Sequence, residues 1–329
     1  MSTLHSRRQF LQTFGFSAAA LLAGRFAGRA ATPVDRTAQH MFLFGDWGAL
    51  DSQPQQEVAA AMMAYAKEQG IQPGALFLLG DNFYGNLEGG VNSPRWQRQF
   101  EEMYPASAFP GACYSLLGNH DYILEPAGKL DAQLAYAAAR PGTRWTMPAK
   151  WYRFEYPQAQ PLVTFLALDS NYQKADGDKL SLSAEERAAQ ARWLRAELAK
   201  PRTTPFLVVC GHHPLYSNGG DNAPLIAEWD ALLKEHRAHL YFAGHVHDLE
   251  HLEFAGHPTS FVVTGGGGTT LRKTADHKSS AENQFAELVH GFTHLEMRAD
   301  RLTVRHLGKD GRQLHAFGKT ADGRVEVLG

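Results

Sequence analysis

Five short apolar runs in this chain each end in a glycine followed at once by Asp, Asn or His. Residues 40–44 run into Gly45-Asp46, 75–79 into Gly80-Asp81, 114–117 into Gly118-Asn119, 206–210 into Gly211-His212, and 240–243 into Gly244-His245-Val246-His247. Apolar runs of this length closed by such turns read as buried strands. In an open sheet, ligand-binding groups gather at the carboxyl ends of the strands. Asp46, Asp81, Asn119, His212, His245 and His247 are therefore expected at one spot, although they span about two hundred residues of sequence. One Gly-Asp after a strand is an ordinary turn. Five such endings in one chain describe a site.

Between these runs lie helical segments. Residues 55–69 (QQEVAAAMMAYAKEQ) read as a helix, 162–168 as a further strand ending at Asp169-Ser170, and 225–236 as a helix. Ser183-Ala184-Glu185-Glu186 has the form of a capping box and starts a helix to about residue 200. Strands alternating with helices imply a sheet layered against helices. The last ninety or so residues differ: 260–264, 292–298, 301–307 and 314–318 read as strands joined by tight turns. They suggest a second, largely antiparallel sheet packed on the first. Residues 276–283 (DHKSSAEN) are polar enough for a surface loop.

The residue types restrict the chemistry. Carboxylate oxygens and imidazole nitrogens suit iron, zinc and manganese, and there is no cluster of thiolates for an iron–sulfur or Cys-rich zinc site. The two cysteines, Cys113 and Cys210, lie in apolar runs and read as small core residues. A single Asp has two oxygens and can bridge two cations; at about 3.5 Å apart these share a water, lower its pKa and clamp an in-line displacement. A dianionic phosphate is the natural guest. A formal net charge of -2 without a Lys/Arg cluster argues against a nucleic-acid groove.

The first thirty residues have a different character. Ser6-Arg7-Arg8-Gln9-Phe10-Leu11 precedes a weakly apolar stretch, residues 14–23, rich in Ala and Gly. This resembles a twin-arginine export signal, with cleavage expected after Ala30 or near Ala38. The stretch is shorter than the roughly 18 apolar residues of a membrane span. The expected organisation is an export signal over 1–30 and a single catalytic domain over 38–329. A periplasmic or secreted location and a passing partnership with the twin-arginine machinery follow from the signal.

Gly45-Asp46-Trp47-Gly48, Gly80-Asp81-Asn82-Phe83-Tyr84, Gly118-Asn119-His120-Asp121, Gly211-His212-His213-Pro214 and Gly244-His245-Val246-His247 resemble, in order, the five signature blocks of the calcineurin-like metallophosphoesterases. More narrowly they resemble the purple acid phosphatases, the short tartrate-resistant type above all. The resemblance implies a four-layer α-β-β-α sandwich of two mixed sheets flanked by helices, and a dinuclear centre of Fe(III) plus a divalent Fe, Zn or Mn. Asp46, Tyr84 and His247 would hold the ferric ion, Asn119, His212 and His245 its partner, and Asp81 would bridge them. A metal-bound hydroxide would attack phosphorus directly. His120, helped by Asp121, would position the phosphate or protonate the leaving oxygen.

One departure separates subfamilies. Most calcineurin-like enzymes open with Asp-x-His, whereas the third position here is Gly48. In purple acid phosphatases the missing ligand is a tyrosine three residues beyond the bridging Asp, which is Tyr84. Near the ligands, His213, Asn82 and Tyr216, with Asn86, Tyr122, Asn218 and Asp248, could line a substrate mouth or serve as turn and surface residues. Trp47 either shields the site or packs in the core. Residues 124–152 carry no ligand motif and could overhang the site. The glycines in Thr264-Gly265-Gly266-Gly267-Gly268-Thr269 lack a nucleotide-loop setting and suit close backbone approach to the site. The expected reaction is hydrolysis of small phosphate monoesters at mildly acidic pH. Diester or nucleotide phosphohydrolysis is the enzymatic alternative, and an exported metal-binding or adhesion module the non-catalytic one.

Overall fold

The segment QHMFLF is uncharged and buried beyond its first residue, so strand β1 (Gln39–Phe44) belongs inside a sheet. The computed structural model describes residues 31–123, 128–172, 181–272 and 279–328. The expected export signal lies outside the described residues, as do 124–127 of the expected overhanging segment and 276–278 of the expected polar loop. Strands β2 (Ala75–Leu78), β3 (Ala112–Ser115) and β4 (Trp145–Thr146) continue from β1 in parallel. A second set comprises β5 (Tyr152–Tyr156), β6 (Val163–Ala167), β7 (Phe206–Cys210), β8 (Leu240–Ala243), β9 (Leu249–Glu253), β10 (Ser260–Thr264) and β11 (Glu282–Glu287). The chain closes with β12 (Gly291–Met297), β13 (Arg301–Gly308), β14 (Gln313–Thr320) and β15 (Val325–Leu328).

These strands form an eight-stranded sheet, β15-β14-β13-β12-β1-β2-β3-β4, and a seven-stranded sheet, β11-β9-β10-β8-β7-β6-β5. Both are mixed: β12 pairs antiparallel with β1, and β6, β7, β8 and β10 run parallel between antiparallel neighbours. The C-terminal hairpins therefore do not make the separate sheet expected from their pattern. They extend the first sheet through the β12–β1 pairing, whose register runs from Gln39 opposite Met297 to Leu43 opposite Thr293. Alternation shows that a strand is half-buried but is silent about its neighbour, and that choice is made by long-range pairing. Residues 260–264 form β10, in the other sheet.

Strands β9 (LEHLE) and β11 (ENQFAE) were not expected. Their charged residues hide the period, and β11 runs into the segment read as a polar loop. Phe154 stacks on Phe165 at 4.8 Å within the second sheet, and Phe77 of the first meets Phe165 at 6.0 Å, so aromatic rings fill the space between the sheets.

Helices flank the sheets. Helix α1 (Gln53–Gln69) ends at Gly70, whose φ of 66° suits a left-handed cap. Its Tyr65 packs against Phe42 of β1 and Phe292 of β12. Helix α2 (Lys129–Ala139) follows β3, and α3 (Ala184–Leu198) starts at the expected capping box: the Glu186 amide donates to Ser183 Oγ, and the Ser183 amide to Glu186. The helix expected over 225–236 is instead divided, with a wider π turn at Ile226–Asp230 that buries both Trp229 and Asp230. Both cysteines are buried and unbridged.

Candidate metal centre

The carboxyl ends of β1 and β8 approach so closely that a Cβ on Gly45 would lie 3.2 Å from the Cα of Gly244. Glycine at both strand ends lets the two sheets touch there, and the polar residues that follow face one another. Four non-glycine residues have left-handed backbone among those described, and three are Asp46 (φ 59°), Asp81 (φ 52°) and His245 (φ 68°). Such conformations cost on the order of 1–3 kcal/mol and persist where the surroundings impose them, often at functional sites.

Asp46 and Asp81 are buried, and neither has a Lys or Arg partner among the described residues. The Tyr84 hydroxyl lies 3.1 Å from Asp46 Oδ1, 2.9 Å from Asp81 Oδ2 and 3.3 Å from His247 Nε2. Asn119 Oδ1 is 3.2 Å from His212 Nε2 and 3.0 Å from His245 Nδ1. Asp81 faces both groups: Oδ2 meets Tyr84, while Oδ1 lies 3.4 Å from His212 Nε2 and accepts the His120 amide at 2.8 Å. The seven expected ligands, Asp46, Asp81, Tyr84, Asn119, His212, His245 and His247, are thus brought together as two sets with Asp81 touching both.

This donor set fits a pair of cations. Buried carboxylates require a compensating charge. His212 and His247 place Nδ1 2.8 Å from Leu79 O and 2.7 Å from Thr270 O. A carbonyl can only accept, so each ring donates from Nδ1 and directs Nε2 inward, the arrangement that orients metal-binding histidines. Electrostatics agree. Burial opposes the charge on His212, but Asp81 and Asp46 outweigh it and raise its pKa to about 10. Burial, then Asp46 and Asp81, push the Tyr84 phenol far above its ordinary range.

The glycine run after β10 behaves as expected. A Cβ on Gly265 would lie 2.0 Å from Val246 O, and one on Gly267 2.2 Å from Gly45 O. The Thr269 amide donates to Asp46 O at 2.8 Å. Backbone here packs directly against the ligand turns, leaving no room for side chains.

His120 is half-buried, with its ring 4.2 Å from that of Tyr84, at the rim of a 380 Å³ cavity. Burial lowers its pKa, partly offset by Asp81. Asp121 does not accompany it. Its buried carboxylate accepts the amides of Asn82, Phe83 and Gly118 and the side chain of Gln133, so it supports the turn and does not line the cavity.

Three residues expected at the mouth lie elsewhere. Asn82 is buried between Trp47 Nε1, Leu116 O and Gln133, and Trp47 is itself wholly buried in the core. Tyr216 turns inward, donating to Asp230 and packing on Phe254 and Phe261. His213 is buried with Nδ1 2.9 Å from Ser170 Oγ, its ring 4.3 Å from that of His245. Asn86, Tyr122, Asn218 and Asp248 do not line the cavity either. Its lining includes Ser217, Asp221, Asn222 and Arg272, which sequence reasoning missed. The Gly219-Gly220-Asp221-Asn222 turn soon after the fourth block was the available signal; Arg272 had none.

The calcineurin-like phosphoesterase family profile matches residues 41–249. Tartrate-resistant acid phosphatase type 5 of Oryctolagus cuniculus is 29% identical over 294 residues, 82% of this chain and 87% of that protein. Purple acid phosphatase 17 of Arabidopsis thaliana is 29% identical over 242 residues, 70% and 68% of the two chains. Among solved structures, GAP50, the anchor in the inner membrane complex of Plasmodium, superposes with a TM-score of 0.70 at 21% identity, covering 88% of each chain. The purple acid phosphatase PPD1 of yellow lupin (Lupinus luteus) superposes with a TM-score of 0.61 at 17% identity, covering 88% of this chain and 55% of that one. These two structures share the fold, while the family profile spans all five strand-end blocks. The chain belongs to the calcineurin-like phosphoesterase family and is a hydrolase of phosphoric esters.

Proposed function

We propose that this chain is an acid phosphatase of the purple type, hydrolysing phosphate monoesters at mildly acidic pH with Fe(III) and a divalent Fe, Zn or Mn ion. The observation that carries the reading is the Tyr84 hydroxyl held between Asp46 and Asp81 at 3.1 and 2.9 Å. A phenolate is a hard anionic donor suited to a ferric ion, and no histidine stands at position 48 to take its place. Asp46, Tyr84 and His247 would hold the ferric ion, Asn119, His212 and His245 the divalent one, and Asp81 both. When bound, such a pair supplies Lewis-acid polarisation of the phosphoryl oxygens and a nucleophile at neutral or lower pH.

The protein's own groups do the rest. The left-handed turns at Asp46, Asp81 and His245 pre-set the ligands, so little reorganisation accompanies reaction. His120, its ring tilted against that of Tyr84 at the cavity rim, is the group available to orient the phosphate and to protonate the leaving oxygen. Asp121 acts as a positioning residue through the turn carrying Asn82 and Phe83.

The test is a visible spectrum of aerobically purified protein with metal content measured on the same sample. A broad charge-transfer band with iron present, lost in Tyr84→Phe, is expected. A colourless protein holding two equivalents of zinc or manganese removes the iron assignment. Comparison of p-nitrophenyl phosphate with bis-p-nitrophenyl phosphate then decides between ester classes, a large preference for the diester favouring a phosphodiesterase. We further propose export through the twin-arginine route to the periplasm or beyond, on the strength of Arg7-Arg8 before Phe10-Leu11. Unchanged export of an Arg7→Lys, Arg8→Lys double variant would overturn it.

A further inference from the structure

The cavity over the candidate metal centre holds one side chain with a fixed positive charge. Among the described residues Arg272 is the only Lys or Arg that lines it; it is exposed and makes no hydrogen bond or ion pair with any described residue. Two residues before it, the carbonyl of Thr270 holds His247 Nδ1 at 2.7 Å, and the preceding Thr269 amide is bonded to Asp46 O. The backbone leading to Arg272 is therefore anchored on two candidate ligand residues.

The rest of the lining leaves this charge unanswered. Among the described residues the only carboxylate there besides Asp81 is Asp221, and both of its oxygens are engaged, Oδ1 by Ser279 Oγ at 2.7 Å and Oδ2 by the Ser280 amide at 3.0 Å and its hydroxyl. Around Asp221 the wall is small and polar: Ser217, Gly219, Gly220 and Asn222. Among the described residues no Phe, Tyr or Trp lines the cavity on which an aryl group or a nucleobase could stack. At 380 Å³ it has room for more than a phosphate group. A guanidinium presents a planar fork of donors that matches the two oxygens of a carboxylate or phosphate.

We propose that Arg272 is a specificity-determining residue that binds a second oxyanion, a carboxylate or a further phosphate, carried on the leaving-alcohol portion of the substrate. This rests on the phosphomonoesterase reading above and narrows it to small, polar, multiply anionic esters. Arg272 acts on binding of the leaving portion and takes no part in cleavage of the P–O bond.

Matched esters test it in the metal-loaded full chain. Glycerol 2-phosphate and 2-phosphoglycerate differ by a carboxylate in place of a hydroxymethyl group, and fructose 6-phosphate and fructose 1,6-bisphosphate differ by a phosphate. We expect wild-type kcat/KM to favour the more anionic member of at least one pair. In Arg272→Gln that preference should fall about tenfold through KM, with kcat little changed, since one charge-assisted contact is worth about one decade. Arg272→Lys should recover part of it, and added salt should erode the wild-type preference because the residue is exposed. The pair that responds identifies the oxyanion. If p-nitrophenyl phosphate is hydrolysed but Arg272→Gln leaves both ratios unchanged, the role of Arg272 is wrong and the phosphatase reading stands. If metal-loaded wild type cleaves none of these esters, both fall.

Discussion

The amide of Tyr84 donates to the carbonyl of Gly48 at 2.9 Å, and a Cβ built on Gly48 would lie 1.7 Å from the carbonyl oxygen of Asn82. The turn that delivers the phenol thus fills the space a side chain at 48 would need. Histidine at 48 is excluded sterically by the Asn82-Phe83 backbone that leads to Tyr84. Gly48→His should therefore destabilise the fold by about 1–3 kcal/mol or more, and pairing it with Tyr84→Phe should not restore two metals. Urea unfolding and metal analysis check this; wild-type stability and metal content in the double variant would count against the exclusion.

Tyr84→Phe removes one oxygen and keeps the ring. The ring's packing beside His120 should survive, so the melting temperature of metal-free protein should change little. Iron affinity should drop by at least about tenfold, the scale of losses at metal sites when even supporting groups are removed. Competition with a chelator measures it.

Asp81→Ala and His120→Ala separate the ligand set from the rim. Asp81 meets both halves of the site, so its loss should abolish binding of both metals. His120→Ala should retain them and lower kcat by about 10²–10⁴, the usual contribution of a general acid. Equal metal loss in the two variants would show that these roles are misassigned.

Asp121→Ala should behave differently from both. It leaves the buried amides of Asn82, Phe83 and Gly118 without their acceptor, at a cost of about 1–3 kcal/mol per unsatisfied group. The expected result is a lower urea midpoint. Preserved stability with lost turnover would return Asp121 to a direct catalytic role.

Asp169 gives a pH signature from outside the ligand set. Burial pushes its carboxyl up to about 6 from an unfolded value of 3.8, against the bonds from Tyr122 and Asn171. Between about pH 4 and 6 the folded chain holds a proton there that the unfolded chain has released. This contribution to stability is present in full below about pH 4 and is lost as pH rises through about 6, amounting to about 3 kcal/mol by linkage. In Asp169→Asn the change in unfolding free energy between about pH 4 and 7 should shift by that amount relative to wild type. An unshifted pH profile would show that the carboxyl ionises normally.

The amino-acid sequence alone determined the ordered series of Gly-polar strand endings, the donor chemistry they offer, the pairing of a glycine at 48 with a tyrosine at 84, and the capping box at Ser183. These are local: a turn residue, a donor atom or a cap depends on its immediate neighbours. The tertiary structure decided which sheet the C-terminal hairpins join, since β12 pairs with β1 across some 250 residues, and alternation does not encode a partner. It also decided which polar side chains face the cavity. Asn82, Asp121 and Tyr216 sit within five residues of expected ligands yet turn inward to satisfy buried amides and carboxylates, while Arg272, 25 residues beyond His247, reaches the opening. Nearness in sequence could not separate them, because a side chain's direction is set by the packing of the two sheets and by the hydrogen bonds their junction leaves open.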